Sequence, residues 1–122
     1  MIETAIVLPT FFMLLFGFFQ IGIVLLTYGN CTYAARTAAR WAALHSTASV
    51  APCNTTCVSG IVTPLLYVPS GDITVTTTYG STNVVGSTVT VLVKVVYTVK
   101  IPFYNGSQNF TVGSKVVRTI TR

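Results

Sequence analysis

The chain has 122 residues and a net charge of +5 at pH 7, with 52% hydrophobic and 7% charged residues, where a soluble globular domain carries roughly 25% charge. Disorder is excluded, because it needs low hydrophobicity and high charge, and an acid/base enzyme would have only Glu3, Asp72, His45 and three cysteines to draw on. The seven cations are thinly spread, which argues against a nucleic-acid partner, and a membrane-embedded or self-assembling chain remains.

From Ala5 to Leu26 the only strongly polar side chain is Gln20, with Thr10 the other hydroxylated exception. Such a run meets the length of about 20 residues that a transmembrane helix needs. Leu14, Leu15, Phe16, Phe18 and Phe19 point in every direction, unlike the single apolar stripe of a buried soluble helix. The run lacks the basic leading region and small-residue cleavage site of a secretory signal. Beyond Thr27 two alanine columns, Ala34, Ala38, Ala42 and Ala35, Ala39, Ala43, form one smooth face on a strongly helix-forming segment. A helix is therefore expected over residues 1–48, about 70 Å long. Its apolar part, 1–28, belongs in the membrane or an equally apolar bundle, and 29–48 packs its alanine face on something flat. Gly29 and Asn30 mark an expected weak point between the two parts.

Residues 49–122 read as an antiparallel β domain with strands at Ile61–Val68, Ile73–Tyr79, Thr88–Phe103 and Gln108–Thr121. Asn105-Gly106 favours a two-residue turn between the last two. That turn sets Tyr104 opposite Ser107, so Val99/Val112, Val95/Val116 and Val91/Ile120 share the apolar face, with Arg118 opposite Val93 as an exception. The alanine columns are expected to cover this face. The fold class is α+β, a long helix on a small antiparallel sheet.

Glu3 stands next to the N-terminal amine of Met1 and ahead of the apolar run. A carboxylate there either pairs with the amine of a neighbouring subunit in a low-dielectric bundle or simply favours the helix N-terminus. Pro9 removes a backbone donor and clashes with the carbonyl of Ala5, so the helix should kink or melt locally unless packing or the Thr10 hydroxyl compensates. Gln20 is able to bond across helices, at a modest gain of about 0.6 kcal/mol. Cys31, Cys53 and Cys57 are too few and poorly spaced for zinc. A local Cys53–Cys57 disulfide is favoured, with Cys31 left as a buried thiol, although Cys31 is able to bridge either partner. Glycosylation sequons stand at Asn30, Asn54, Asn105 and Asn109. No nucleophile–base pair, phosphate loop or cofactor fingerprint occurs, so no cofactor is expected.

The segments Glu3-Thr-Ala-Ile-Val-Leu-Pro9, Leu14-Leu15-Phe16-Gly17, Gly22 and Ala34-Ala35-Arg36-Thr-Ala38-Ala39-Arg40-Trp41-Ala42-Ala43 fall in order. In these elements the first 45 or so residues resemble the TadE-like pilins and pseudopilins of the tight-adherence branch of the type IV pilus superfamily. The resemblance implies a type IV pilin-like fold and a structural subunit of an extracellular filament. In that scheme a prepilin peptidase removes a basic leader. An ATP-driven machine then draws the subunit from the inner membrane, and the helices bundle as the filament core. It also implies that Glu3 neutralises a neighbour's amine, that Pro9 is the helix-breaking proline, and that Arg36 and Arg40 are the arginines of the alanine segment. Two departures stand out. Mature pilins usually carry the glutamate at position five, and many relatives have a second acid where this chain has Gln20. The alternatives are a minor pseudopilin of the envelope and a bitopic membrane protein displaying a small β binding domain.

Overall fold

The computed structural model describes residues 2–46, 49, 51–68, 70–80, 83–100 and 107–121. Helix α1 (Ile2–Leu44) contains 43 residues, about 65 Å of continuous helix. The expected weak point at Gly29-Asn30 is fully helical. On either side of it the Thr27 and Thr32 hydroxyls donate to the carbonyls of Ile23 and Tyr28, at 2.9 and 3.0 Å. The helix stops at Leu44 rather than near Ala48, and Thr47 and Ala48 lie outside the described residues. Around that end the Ala43 carbonyl accepts from Thr121 N–H at 3.2 Å and the His45 carbonyl from Cys53 N–H at 3.0 Å. Tertiary partners thus take carbonyls that a further helical turn would otherwise occupy.

The strand expected at Ile61–Val68 is helical instead. Helix α2 (Thr55–Val62) passes into a 3₁₀ turn at Thr63–Leu65. Asn54 caps α2, its side-chain oxygen accepting from Cys57 N–H at 3.0 Å. That cap sets the helix going before the β-branched residues are reached, and Pro64 suits the first turn of the 3₁₀ segment. The buried side of α2 consists of Val58 and Val62, with Leu66 just beyond.

A second 3₁₀ turn at Ser70–Asp72 leads into strand β1 (Ile73–Tyr79), which matches its expected bounds. Strands β2 (Thr88–Lys100) and β3 (Ser107–Thr119) follow, and the sheet order is β1-β2-β3 with both pairings antiparallel. The register differs from the expected one: Lys100 lies opposite Ser107, Val95 opposite Val112, Val91 opposite Val116, and Arg118 opposite Val89 rather than Val93. The observed pairs lie four residues from the register that a two-residue turn at Asn105-Gly106 would impose. The expected turn at Asn105-Gly106 lies outside the described residues. The shift is an even number of residues, so every side chain keeps its expected face.

The core lies between α1 and the sheet. Ala34, Ala35, Ala38, Ala39 and Ala42 are wholly buried, and so are Val89, Val91, Val93 and Val95 of β2. Alternation places those valines on one face and Thr90, Leu92, Lys94 and Val96 on the other. Each valine fully removed from water contributes about 1.5–2 kcal/mol, and the methyl-only alanine face lets the helix axis come close to the sheet. The architecture is α+β, a long N-terminal helix on a three-stranded antiparallel sheet.

Candidate assembly site along the N-terminal helix

The half of α1 that precedes the alanine columns is nearly bare. Of its most apolar stretch only 6% is buried against the rest of the chain, and α1 is long and apolar enough to cross a membrane. From Glu3 to Leu14 every side chain is exposed, including Phe11, Phe12 and Met13. Further along, a contact stripe starts and widens into the alanine face: Gly17, Gln20, Val24, Thr27 and Cys31 recur at spacings of three and four. This is the periodicity of one helix face.

Glu3 is exposed in the first turn of α1, where a carboxylate complements the positive end of the helix dipole. Met1, the source of the amine in the expected pairing, lies outside the described residues. Pro9 does not melt the helix, which continues through it. The Thr10 hydroxyl donates to the carbonyl of Ile6 at 3.1 Å. The carbonyl of Ala5, which loses its usual donor to Pro9, is the neighbour of the one so served.

Gln20 has a setting that was not foreseen. Together with Gly17, Val24 and Leu25 it faces Gln108 and Phe110 of β3 across a cleft of about 470 Å³. The start of β3 therefore reaches down beside the apolar half of α1, while its far end meets Ala43 through Thr121. Strand length held the signal. Thirteen residues of strand span about 43 Å, whereas the alanine-rich part of the helix covers only about 25 Å. The sheet has to overhang toward the apolar end. Below that overhang Glu3–Phe16 is free, about 20 Å of helix.

Cys53 and Cys57 are bridged, with their Cα atoms 5.3 Å apart, and Cys31 is a free, wholly buried thiol on the sheet-facing side of α1. Arg36 and Arg40 are exposed on the side of α1 away from the sheet. Of the sequon asparagines, Asn30 is half-buried on α1, Asn54 and Asn109 are exposed, and Asn105 lies outside the described residues. Asn109 accepts a hydrogen bond from the Thr98 hydroxyl at 2.9 Å. Among the described residues no cluster of three or more His, Cys, Asp or Glu side chains offers a metal site.

Residues 1–40 match the family of TadE-like proteins. The N-terminal helix is TadE-like. The matched range bears out the resemblance read from the N-terminal segments. The match supports a part for the chain in a tight-adherence pilus system. The match ends before α2 and the sheet, and no curated protein and no solved structure matches the chain. The bare apolar half of α1 fits a membrane-inserted precursor.

Proposed function

We propose that the chain is a pilin, the structural subunit of an extracellular type IV-like pilus that polymerises through its N-terminal helix. The observation that carries this reading is the uncovered apolar half of a TadE-like α1. An apolar surface of that extent has to be covered. Lipid covers it in the inserted precursor, and the helices of other copies cover it in the fibre. Residues 1–28 serve as filament core, 29–48 tie the core to the sheet, and 49–122 form the outer layer. The partners are further copies of the chain, a prepilin peptidase, the assembly machinery and the inner membrane, with no nucleic acid and no cofactor. In the bundle Glu3 pairs with the terminal amine of a neighbour, Pro9 and Gln20 shape the packing of adjacent helices, and Asn54 and Asn109 are accessible to a glycan.

Electron microscopy of the purified protein tests the reading. Uniform fibres built of this chain support it, and monomers that stay dispersed in detergent and never polymerise overturn it in favour of a minor envelope pseudopilin or a membrane-anchored binding domain. Glu3→Ala should lower fibre yield while the circular dichroism of the sheet stays unchanged. Normal fibre formation by that variant removes the pairing role of Glu3.

A further inference from the structure

Among the described residues no strand pairs with either edge of the sheet, and the backbone geometry of the two edges makes them complementary. Gly80 N–H donates to the Thr88 carbonyl at 2.8 Å, so this pair is one of the hydrogen-bonded pairs of the β1–β2 ladder. Antiparallel ladders alternate. Thr78/Thr90, Thr76/Leu92 and Thr74/Lys94 are then hydrogen-bonded as well, and the backbone groups of Ile73, Val75, Thr77 and Tyr79 point away from β2. Among the described residues nothing pairs with these outward groups. At the other edge Ile120 N–H donates to the Ser87 carbonyl at 2.8 Å. By the same alternation Asn109, Thr111, Gly113, Lys115 and Val117 turn their backbone groups outward.

Strand β1 lacks the usual protection of an edge. It contains no Lys, no Pro, no Gly and no other charge, and a bare edge of this kind is a template for another strand. Ile73 and Val75 border a cleft of about 330 Å³ whose other wall is the hydroxyl side of α2, Thr55, Thr56 and Ser59, with Thr63 of the following 3₁₀ turn.

We infer that the sheet continues from copy to copy in the fibre, the free edge of β3 in one copy pairing in parallel with β1 of the next. The inference rests on the filament reading above. Three observations select this occupant. Copies in a filament share one polarity, and β1 and β3 run the same way because each is antiparallel to β2, so a β3-to-β1 joint has to be parallel. In a parallel ladder a residue with outward amides bonds to the two partners flanking its neighbour. The outward residues of β1 have inward-facing side chains and those of β3 outward-facing ones, so the joined strands keep the alanine-covered face on one side. Charge supplies the third: Asp72, the only acidic residue after Glu3, is exposed at the start of β1, and exposed cations Lys115 and Arg118 stand on β3. A joint between unlike edges of identical copies does not close on itself and builds an open array.

Cysteine crosslinking within fibres tests the joint. Thr76 lies opposite Leu92, which lies opposite Lys115, so β1 and β3 of one copy are about 9.5 Å apart, beyond disulfide reach. A chain carrying Thr76→Cys together with Val117→Cys or Thr119→Cys can therefore bridge only between copies. Mild oxidation of fibres should give a ladder of multimers on non-reducing gels with one of the two pairs. Hydrogen exchange of the unaltered chain supplies a second measurement: the peptide covering Ile73–Tyr79 should exchange at least tenfold more slowly in fibres than in detergent-dispersed monomer. Fibres that give no ladder with either pair and no slowing over Ile73–Tyr79 overturn the strand joint and leave the filament reading standing. Failure of the unaltered chain to form fibres overturns both.

Discussion

The hydroxyl of Tyr79 donates to the backbone carbonyl of Cys53 across 2.5 Å, joining the end of β1 to the loop that carries the disulfide. Tyr79→Phe keeps the ring and removes only that bond, so it should lower unfolding stability by about 1 kcal/mol. Urea titration of the detergent-solubilised chain, followed through sheet circular dichroism, measures it. Burial also raises the Tyr79 phenol above its ordinary value. In the unfolded chain the phenol releases its proton first, near pH 10. The contribution of Tyr79 is complete below that pH and is lost as pH rises through the higher folded value. The parent should accordingly lose stability more steeply than Tyr79→Phe on the alkaline side.

Ala38 sits wholly buried between α1 and the sheet. Ala38→Leu adds three carbons where there is no room, so the helix must lift or the valines of β2 must shift. A loss of about 1–3 kcal/mol is expected, read as a drop in Tm. The same change at exposed Arg36 should leave Tm within a degree or two of the parent.

The Cys53–Cys57 bridge closes a short loop, with a sequence separation of 4. For so small a ring the restriction of the unfolded chain amounts to about 2 kcal/mol. The double variant Cys53→Ser, Cys57→Ser should lose that much at most, and its α2 should remain capped through Asn54. Alkylation under native conditions should leave Cys31 untouched in both proteins, because the thiol is fully enclosed.

The alanine columns and the bounds of β1 were legible because each follows a single strong period, 3.6 for the helix and 2 for Ile73-Thr-Val-Thr. Helix α2 was not. Its Ile61-Val62-Thr63 run has strand character, and the decisive feature was Asn54 accepting from Cys57 N–H, a cap placed well upstream of the run. The expected β2–β3 register rested on the Asn105-Gly106 turn alone, and the observed pairing differs from it by four residues. Of the candidate assembly residues, Glu3 and Pro9 announce themselves by type. Gln108 and Phe110 do not, since only the length of β3 relative to the alanine columns places them beside Gln20.

In the membrane-inserted state that placement fixes a depth. A tryptophan moved to the β3 overhang, with Phe110→Trp and Trp41→Phe in the same chain, should emit at shorter wavelength in lipid vesicles than in water. Lipids brominated close to the headgroup should quench it. Emission at the wavelength of a water-exposed indole, without quenching, would place the overhang clear of the bilayer.

The overhang also bears on the work of pulling a subunit out of the lipid. A helix sunk to Leu26 would withdraw a full bilayer thickness of apolar surface, whereas Glu3–Phe16, the stretch that precedes the cleft with β3 at Gly17 and Leu25, measures about 20 Å against a hydrocarbon core of about 30 Å. Were the chain seated only to that depth, the bilayer would have to thin around it, and thinning costs energy in proportion to the mismatch. Extraction releases that strain. If the chain is the filament subunit proposed above, a shallow seat lowers the force needed to move it from lipid into the fibre.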